Sequence, residues 1–208
     1  QVDALIERRR QRPPGDDLLG LLLDANEAQQ TSASVMRDEV LSMVVAGHET
    51  TAVELGWILW LLSTHPEVLE QVEAELDAVL GDAPITLEKT RELPVLTRTL
   101  QEVLRLYPAV WALAREAEAA DELCGFPIAA GSRVFFSPFA VHRNPKYWDN
   151  PEGFDPDRFL PERSVGRPKF AYFPFSGGQR KCIGDQFTML ELTTVLATVL
   201  RAYRFELK

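Results

Sequence analysis

The sequence has 208 residues, of which 46% are hydrophobic, so it has room for one domain, or at most two small ones, with a real core. Its formal net charge of −9 argues against a nucleic-acid partner, because such a partner favours a basic face. Two cysteines, Cys124 and Cys182, are too few for a disulfide framework and favour a reducing compartment.

The N-terminal segment, residues 1–12, reads as the end of a charged helix. It lacks the apolar stretch of a signal peptide, and no run elsewhere reaches transmembrane length without a charge. We therefore expect a soluble, cytoplasmic protein. A membrane anchor on an upstream segment stays open, because the first residue is Gln rather than Met.

Two helices are predicted next in the chain. Asp17 follows a proline-rich breaker and is placed to cap a short helix, Leu18–Asn26. After a polar loop over 27–34, a long segment from Ser34 to Leu62 is apolar nearly all round, which predicts a central buried helix.

A polar insert, Ala46–Thr51, interrupts that apolar segment. Gly47 thins the predicted helix, so a flat ligand could approach its backbone, and the Glu49–Thr50 pair could break the local hydrogen-bond ladder and hold water or a bound oxygen species. A satisfied polar patch facing another helix is the alternative. A zinc-protease motif is excluded, because Ala52 stands where its second histidine would be.

Two further helices are bounded by clear signals. Thr64 to Glu67 has the pattern of a capping box that opens an amphipathic helix ending at Gly81. The next helix starts at Pro94 and is stopped by Pro108. Its Glu102 and Arg105 are spaced to share one face, which on its own indicates no more than a surface ion pair.

Short strands replace helices after Val110. Turns around short strands are predicted over Cys124–Gly131, and a strand over Arg133–Ser137. Residues 138–174 then carry seven prolines and little periodicity, as expected of a functional loop. The fold class is therefore mainly α with small β-sheets (α+β).

The most informative stretch is Phe175–Gly184, a glycine-rich loop with a cysteine in it. A long apolar segment, 187–200, follows and predicts a buried helix. The positive end of that helix, together with Arg180 and Lys181, would favour the thiolate of Cys182. A small buried hydrophobe is the alternative interpretation of this cysteine.

This loop resembles the haem-thiolate loop of the cytochrome P-450 family. The positions that carry the resemblance are Phe175, Gly178, Arg180, Cys182 and Gly184. It implies that haem b (iron protoporphyrin IX) binds here, with Cys182 as the axial ligand of the iron.

The same resemblance implies roles for other residues. Glu49 and Thr50 would relay protons to dioxygen, on a helix stretch where Ala46 and Gly47 contact the haem. The haem propionates would pair with Arg115 and Arg180, and the family's structural triad, which braces the haem loop, would be Glu102, Arg105 and Arg158. The substrate pocket would be lined by Val44, Val45, Val110, Trp111, Ala112 and Leu113.

The implied fold is part of the cytochrome P-450 fold. It would contain the long central helix, the Glu-x-x-Arg helix, the proline-rich meander, the cysteine loop and the helix after it. Residues 1–208 are expected to be the C-terminal portion of one such domain, without its N-terminal half and its last β-sheet.

The implied function is monooxygenation of a lipophilic small molecule with dioxygen and electrons from a redox partner. The donor would be a ferredoxin, a flavodoxin or a diflavin reductase. Between Arg158 and Lys181 there are six basic residues and one acidic, which indicates either a solvated loop or a docking patch for an acidic donor. A peroxide-using or rearranging haem-thiolate enzyme and a non-catalytic fragment remain alternatives. His142 receives no role.

Overall fold

The computed structural model describes residues 2–12 and 17–207 of the chain, which divides into two compact units, Gln1–Thr50 and Thr51–Lys208. Most of the described residues are helical, and the strands are short and antiparallel. The predicted mainly α fold with small β-sheets is therefore confirmed. No helix in the described ranges has the length and apolar character to cross a membrane.

The first unit is built from helices. They are α1 (Val2–Arg10), α2 (Leu18–Gln29) and the first part of α3 (Ala33–Thr64). A small apolar core joins them, made of Ile6, Leu23, Met36 and Val40.

Asp17 caps α2 as predicted, since its carboxylate accepts a hydrogen bond from the Gly20 amide at 2.9 Å. The predicted loop over 27–34 is too long, because α2 continues to Gln29 and α3 begins at Ala33. Helix α2 ends where Gln30 adopts a left-handed conformation with φ of 52°.

Helix α3 is continuous over its 32 residues, so the polar insert does not break it. The predicted capping box at Thr64 is wrong. Thr64 is the last residue of α3, and its hydroxyl donates back to the carbonyl of Trp60 at 3.0 Å. His65 takes the N-cap position of the next helix without a side-chain hydrogen bond, and Pro66 follows in the first turn.

The second unit holds the larger core. Its further helices are α4 (Pro66–Leu80), α5 (Leu87–Thr90), α6 (Pro94–Leu106), α7 (Pro138–Val141), α8 (Pro161–Ser164) and α9 (Asp185–Ala202). Side chains of α3, α4, α6 and α9 meet in this core. Helix α6 contributes Leu96, Leu100 and Val103, and α9 contributes Leu192 and Leu196.

Two small sheets follow α6. The strands are β1 (Leu113–Glu116), β2 (Asp121–Leu123), β3 (Phe126–Ile128) and β4 (Arg133–Phe136). Strand β1 pairs with β4 and β2 pairs with β3, both antiparallel. The β2–β3 turn includes Cys124 with φ of 54° and Gly125 with φ of 85°.

The proline-rich segment 138–174 is less irregular than its sequence suggests. Besides α7 and α8, it contains 3₁₀ turns at Pro156–Phe159 and Lys169–Ala171. Pro138, Pro156 and Pro161 each stand at the start of a short helical turn, where the absent amide hydrogen has no partner to lose.

Candidate active site

The cysteine loop is closed by its own backbone. The amide of Cys182 donates to the carbonyl of Phe175 at 2.9 Å, and the amide of Ser176 donates to the carbonyl of Phe173 at 3.0 Å. Left-handed conformations at Ser176, with φ of 62°, and Gly178, with φ of 71°, turn the chain between them. At Gly178 the glycine avoids the strain that a side chain would meet there.

Cys182 is a free, exposed thiol. Helix α9 begins three residues later at Asp185, with Gly184 as its N-cap. A Cβ on Gly184 would lie 3.9 Å from the Cys182 sulfur. The alternative interpretation of Cys182, a small buried hydrophobe, is therefore not what the structure shows.

The surroundings of this thiol fit a flat, largely apolar ligand with acidic groups at its edge. Ile183 is 90% exposed and Phe187 is 66% exposed, so two large apolar side chains lie open beside the cysteine in the sequence. The guanidinium of Arg180 is exposed and has no hydrogen-bond or ion-pair partner within 2–12 and 17–207. A haem presents an iron, an apolar face and two propionates, and these residues offer a partner for the iron, for the face and for one propionate.

Glu102 and Arg105 form a buried, two-pronged ion pair on α6. The two guanidinium–carboxylate distances are 2.7 and 2.8 Å, and both side chains are fully excluded from solvent. Arg158, from the proline-rich segment, adds a contact of 3.3 Å to the same carboxylate. The structure therefore brings all three residues of the predicted triad together, in the interior rather than at the surface.

The triad organises the backbone of the proline-rich segment. Arg105 donates to the carbonyls of His142, Pro151 and Gly153 at 2.7 to 2.9 Å. Arg158 donates to the carbonyls of Asp149 and Asn150. Because a buried cation needs acceptors on all its donors, the irregular segment is held in one path around these two guanidinium groups.

His142 extends this network to the cysteine loop. Its Nε2 accepts a hydrogen bond from the Phe173 amide at 2.8 Å, and its Nδ1 lies 3.2 Å from the Arg105 carbonyl. The first contact requires an unprotonated Nε2, so Nδ1 carries the hydrogen and donates to that carbonyl. Burial lowers the pKa of His142 to about 4, and the nearby charge of Arg105 acts in the same direction.

No role is predicted for His142 from the sequence, although it is a histidine in a proline-rich segment. What the sequence could not show is that its two nitrogens face two different segments. They link α6 to Phe173, two residues before the cysteine loop begins.

The predicted pocket-lining segment, 110–113, follows α6, which ends at Leu106. Val110 is 41% exposed and Trp111 is 68% exposed, whereas Ala112 and Leu113 are half-buried. The hydroxyl of Ser137 donates to the Trp111 carbonyl at 2.6 Å, and β1 then pairs with β4.

Arg115 lies on β1 and is exposed. It donates to the carbonyl of its neighbour Ala114 at 2.8 Å, and its guanidinium lies 5.6 Å from the centre of the Phe136 ring. It has no ion-pair partner in the described part of the chain, so its charge is available to an acidic ligand.

Glu54 is a buried acid for which the sequence predicts no role. It lies on α3, is 2% exposed, and accepts a hydrogen bond from the Ala109 amide at 2.6 Å through Oε1. Its Oε2 is buried and has no hydrogen-bond partner within 2–12 and 17–207. Burial raises the pKa of Glu54 to about 8, against the smaller, opposite effect of the Ala109 hydrogen bond. A lone acid between Val53 and Leu55 was the available signal.

The predicted oxygen-activation residues lie on α3 within the first unit. Val44, Val45, Ala46, Gly47 and Glu49 are exposed, and Thr50 is half-buried. The hydroxyl of Thr50 donates to the Ala46 carbonyl, one helical turn back, at 2.7 Å. This bond leaves the helix intact and holds the threonine side chain against its own backbone.

Most cations of the basic stretch between Arg158 and Lys181 are engaged. Arg158 is buried in the triad, Arg163 pairs with Asp155 at 2.9 Å, and Lys181 pairs with Asp185. Arg167 stacks 4.1 Å from the centre of the Trp148 ring. Lys169 and Arg180 are the remaining two, so the free positive charge is smaller than the sequence suggests.

Comparison with known proteins places these features in context. The family model described as cytochrome P-450 matches residues 2–208. Cytochrome P-450 4V2 of Rattus norvegicus is 41% identical over 192 residues, which are 90% of this chain and 37% of that protein.

Two plant proteins are similar over still more of the chain. Protein LUTEIN DEFICIENT 5, chloroplastic, of Arabidopsis thaliana is 36% identical over 204 residues, or 97% of this chain. Cytochrome P-450 97B2, chloroplastic, of Glycine max is 37% identical over 237 residues and covers 100% of it. The chain spans 34% and 41% of the lengths of these two relatives.

Proposed function

The chain belongs to the cytochrome P-450 family, and on that premise we propose that it forms the haem-thiolate part of a monooxygenase. The reaction inserts one atom of dioxygen into a lipophilic small molecule. The observation that carries the proposal is the exposed, unpaired thiol of Cys182 in a loop fixed by the Phe175 carbonyl.

Cys182 is the residue proposed to hold the iron of haem b. Bound in this way, the haem would supply dioxygen activation, since electron donation from a thiolate favours cleavage of the O–O bond. The chain supports this ligand by two means. The amide of Cys182 is tied to Phe175, and Gly178 allows the left-handed turn that precedes it.

Arg180 and Arg115 are the proposed partners of the haem propionates. Both are exposed and lack an ion-pair partner in the described part of the chain. Arginine suits this role, because its planar fork of donors matches a carboxylate. Phe175, Gly184, Ala46 and Gly47 are the remaining residues proposed to contact the haem.

Glu49 and Thr50 are proposed to move protons toward dioxygen. Glu49 is exposed, so its carboxylate can exchange protons with water. The Thr50 hydroxyl now donates to the Ala46 carbonyl, and its lone pairs remain free to accept a proton-bearing partner.

An apolar substrate suits the proposed pocket residues, namely Val44, Val45, Val110, Trp111, Ala112 and Leu113. Electrons would come from a ferredoxin, a flavodoxin or a diflavin reductase. The proposed triad of Glu102, Arg105 and Arg158 braces the cysteine loop through His142 and Phe173.

The test is the reduced, carbon-monoxide-bound difference spectrum of the protein purified with haem supplied. A thiolate ligand gives a red-shifted Soret band, which we expect in the wild type and in Cys124→Ala but not in Cys182→Ala. Cys124 is the matched control, because it is the other cysteine of the sequence and is also free and exposed.

Each outcome decides a different point. If Cys182→Ala keeps the shifted band, Cys182 is not the ligand. If neither the wild type nor the two variants take up haem, the alternative of a non-catalytic fragment is supported. If the shifted band forms, product formation that depends on an electron donor separates a monooxygenase from a peroxide-using or rearranging enzyme.

A further inference from the structure

We propose that Glu54 is a positioning residue for the substrate pocket, because its carboxyl group fixes the start of the segment 110–113. This inference rests on the proposed function, in which that segment lines the pocket. Glu54 would act through the backbone of Ala109 and would not touch the substrate or the haem.

The backbone after α6 needs an outside partner. The last helical hydrogen bond runs from the Tyr107 amide to the Val103 carbonyl at 2.7 Å. Pro108 then contributes no amide hydrogen, so Ala109 has the first free donor after the helix. Glu54 supplies the acceptor at 2.6 Å.

A second contact from α3 holds the same turn. Trp57 is one helical turn after Glu54, and its ring stacks on Tyr107 with 4.2 Å between ring centres and 11° between planes. Glu54 and Trp57 therefore clamp residues 107–109 from one face of α3, directly before the proposed pocket segment.

The other end of the segment is held independently. The Ser137 hydroxyl donates to the Trp111 carbonyl at 2.6 Å, and Leu113 pairs with Phe136 in the sheet. With both ends fixed, the backbone that carries Val110 and Trp111 has little freedom to move. Removal of the Glu54 contact would release one end only.

The state of the second oxygen argues that Glu54 has a specific task. Oε2 is buried and has no hydrogen-bond partner among the residues that the structure describes, which costs stability that an apolar residue at this position would avoid. A residue that weakens the core while one of its atoms holds a defined backbone group is expected where geometry matters more than stability.

Glu75, on α4, provides a matched control at the start of α6, whereas Glu54 acts just after the end of α6. Its two carboxylate oxygens accept hydrogen bonds from the amides of Val95 and Leu96 at 2.7 and 2.9 Å, at the start of α6. Like Glu54, it joins a neighbouring helix to the backbone at an end of α6, but that end is the start of α6 and not the end next to the pocket segment.

The test compares Glu54→Leu, Glu54→Gln and Glu75→Leu with the wild-type protein. Amide hydrogen exchange over 109–113 reports whether the segment is held, with or without haem. The dissociation constants of imidazole and of 4-phenylimidazole in the haem-loaded protein report the pocket, because both ligate the iron and only the second needs a fitting apolar wall.

Glu54→Leu should speed exchange at Ala109 and weaken 4-phenylimidazole binding, each about tenfold, as expected for one lost hydrogen bond. Imidazole binding should change less than about twofold, since it does not depend on the pocket wall. Glu54→Gln keeps an acceptor oxygen and should restore both properties. Glu75→Leu should speed exchange at Val95 and Leu96 only.

Two results would overturn the proposal. Unchanged exchange in Glu54→Leu would show that the carboxyl group does not hold the segment. Faster exchange with an unchanged ratio of the two dissociation constants would show that the segment is held but does not shape the pocket. If the wild-type protein binds no haem, the proposed function fails, and hydrogen exchange alone still decides whether Glu54 holds Ala109.

Discussion

The imidazole of His142 accepts a hydrogen bond from the amide of Phe173 at 2.8 Å. Its other nitrogen faces the Arg105 carbonyl at 3.2 Å, so one buried ring joins the ion-paired helix α6 to the segment that enters the cysteine loop. The loop is therefore supported by a group whose protonation state matters.

We predict that this histidine makes the protein less stable in weak acid. Its pKa is lowered from 6.5 to about 4 by burial, so below pH 6.5 the unfolded state binds a proton that the folded state does not. The contribution of His142 to the free energy of unfolding should fall as the pH is lowered from 6.5 to 4, by on the order of 3 kcal/mol in all, which is the difference between the wild type and a variant without the ring. Urea titrations across this range measure it.

Replacement of the ring identifies the source of this dependence. His142→Gln should be less stable at pH 7 and should lose most of the change between pH 6.5 and 4. His48→Gln removes an exposed histidine from α3 and should leave the dependence as it is. An unaltered pH profile in His142→Gln would contradict the assignment.

The buried triad gives a second prediction. Glu102→Gln would leave Arg105 without its charged partner in the interior, and loss of one partner of a buried pair costs about 3 to 5 kcal/mol. We expect loss of haem uptake together with a lower Tm. Asp157→Asn removes the negative charge from the more exposed contact to Arg98 at 3.2 Å and should cost under about 1 kcal/mol.

The sequence predicted the local features of the fold well. Asp17, Pro94 and Pro108 marked helix ends correctly, because capping and the absent amide of proline act within a few residues. The prediction at Thr64 was wrong, since α3 runs two residues past the predicted end at Leu62 and Thr64 is its last residue. Helix ends of this kind depend on packing that a local pattern does not contain.

The candidate site was predictable only where a motif is contiguous. Cys182 and its glycines stand in one stretch, and Glu102 with Arg105 share one helix face. His142 and Glu54 gain their roles from contacts with Phe173 and Ala109, which are distant in the sequence. Single buried polar residues carry no local signature, so this part required the structure.

Glu54 gives a third prediction, with the opposite sign to that of His142. Its pKa is raised from 4.5 to about 8 by burial, so between these values the unfolded state loses a proton that the folded state keeps. The contribution of Glu54 to stability should therefore fall as the pH rises from 4.5 to 8. Glu54→Gln cannot ionise and should remove this loss.

The wild type and Glu54→Gln should differ in how steeply the free energy of unfolding changes with pH. Relative to the wild type, Glu54→Gln should gain on the order of 4 kcal/mol between pH 4.5 and pH 8. Chemical denaturation of both proteins over this range measures the difference. A constant offset between the two curves would mean that the Glu54 carboxyl ionises in the folded protein as it does in the unfolded chain.

A comparison of Gly47 with Gly56 tests whether a glycine on α3 makes room for a ligand. Both are exposed helical glycines, and an added Cβ at either position would meet nothing within 4 Å. Alanine at each should raise the free energy of unfolding of the haem-free protein by about 0.5 to 1 kcal/mol, because alanine loses less backbone entropy in a helix. Only Gly47→Ala should also lower haem occupancy, measured by the Soret absorbance per protein, since Gly47 is the position proposed to contact the haem. Equal haem occupancy in the two variants would mean that the glycine of the polar insert makes no room for the cofactor.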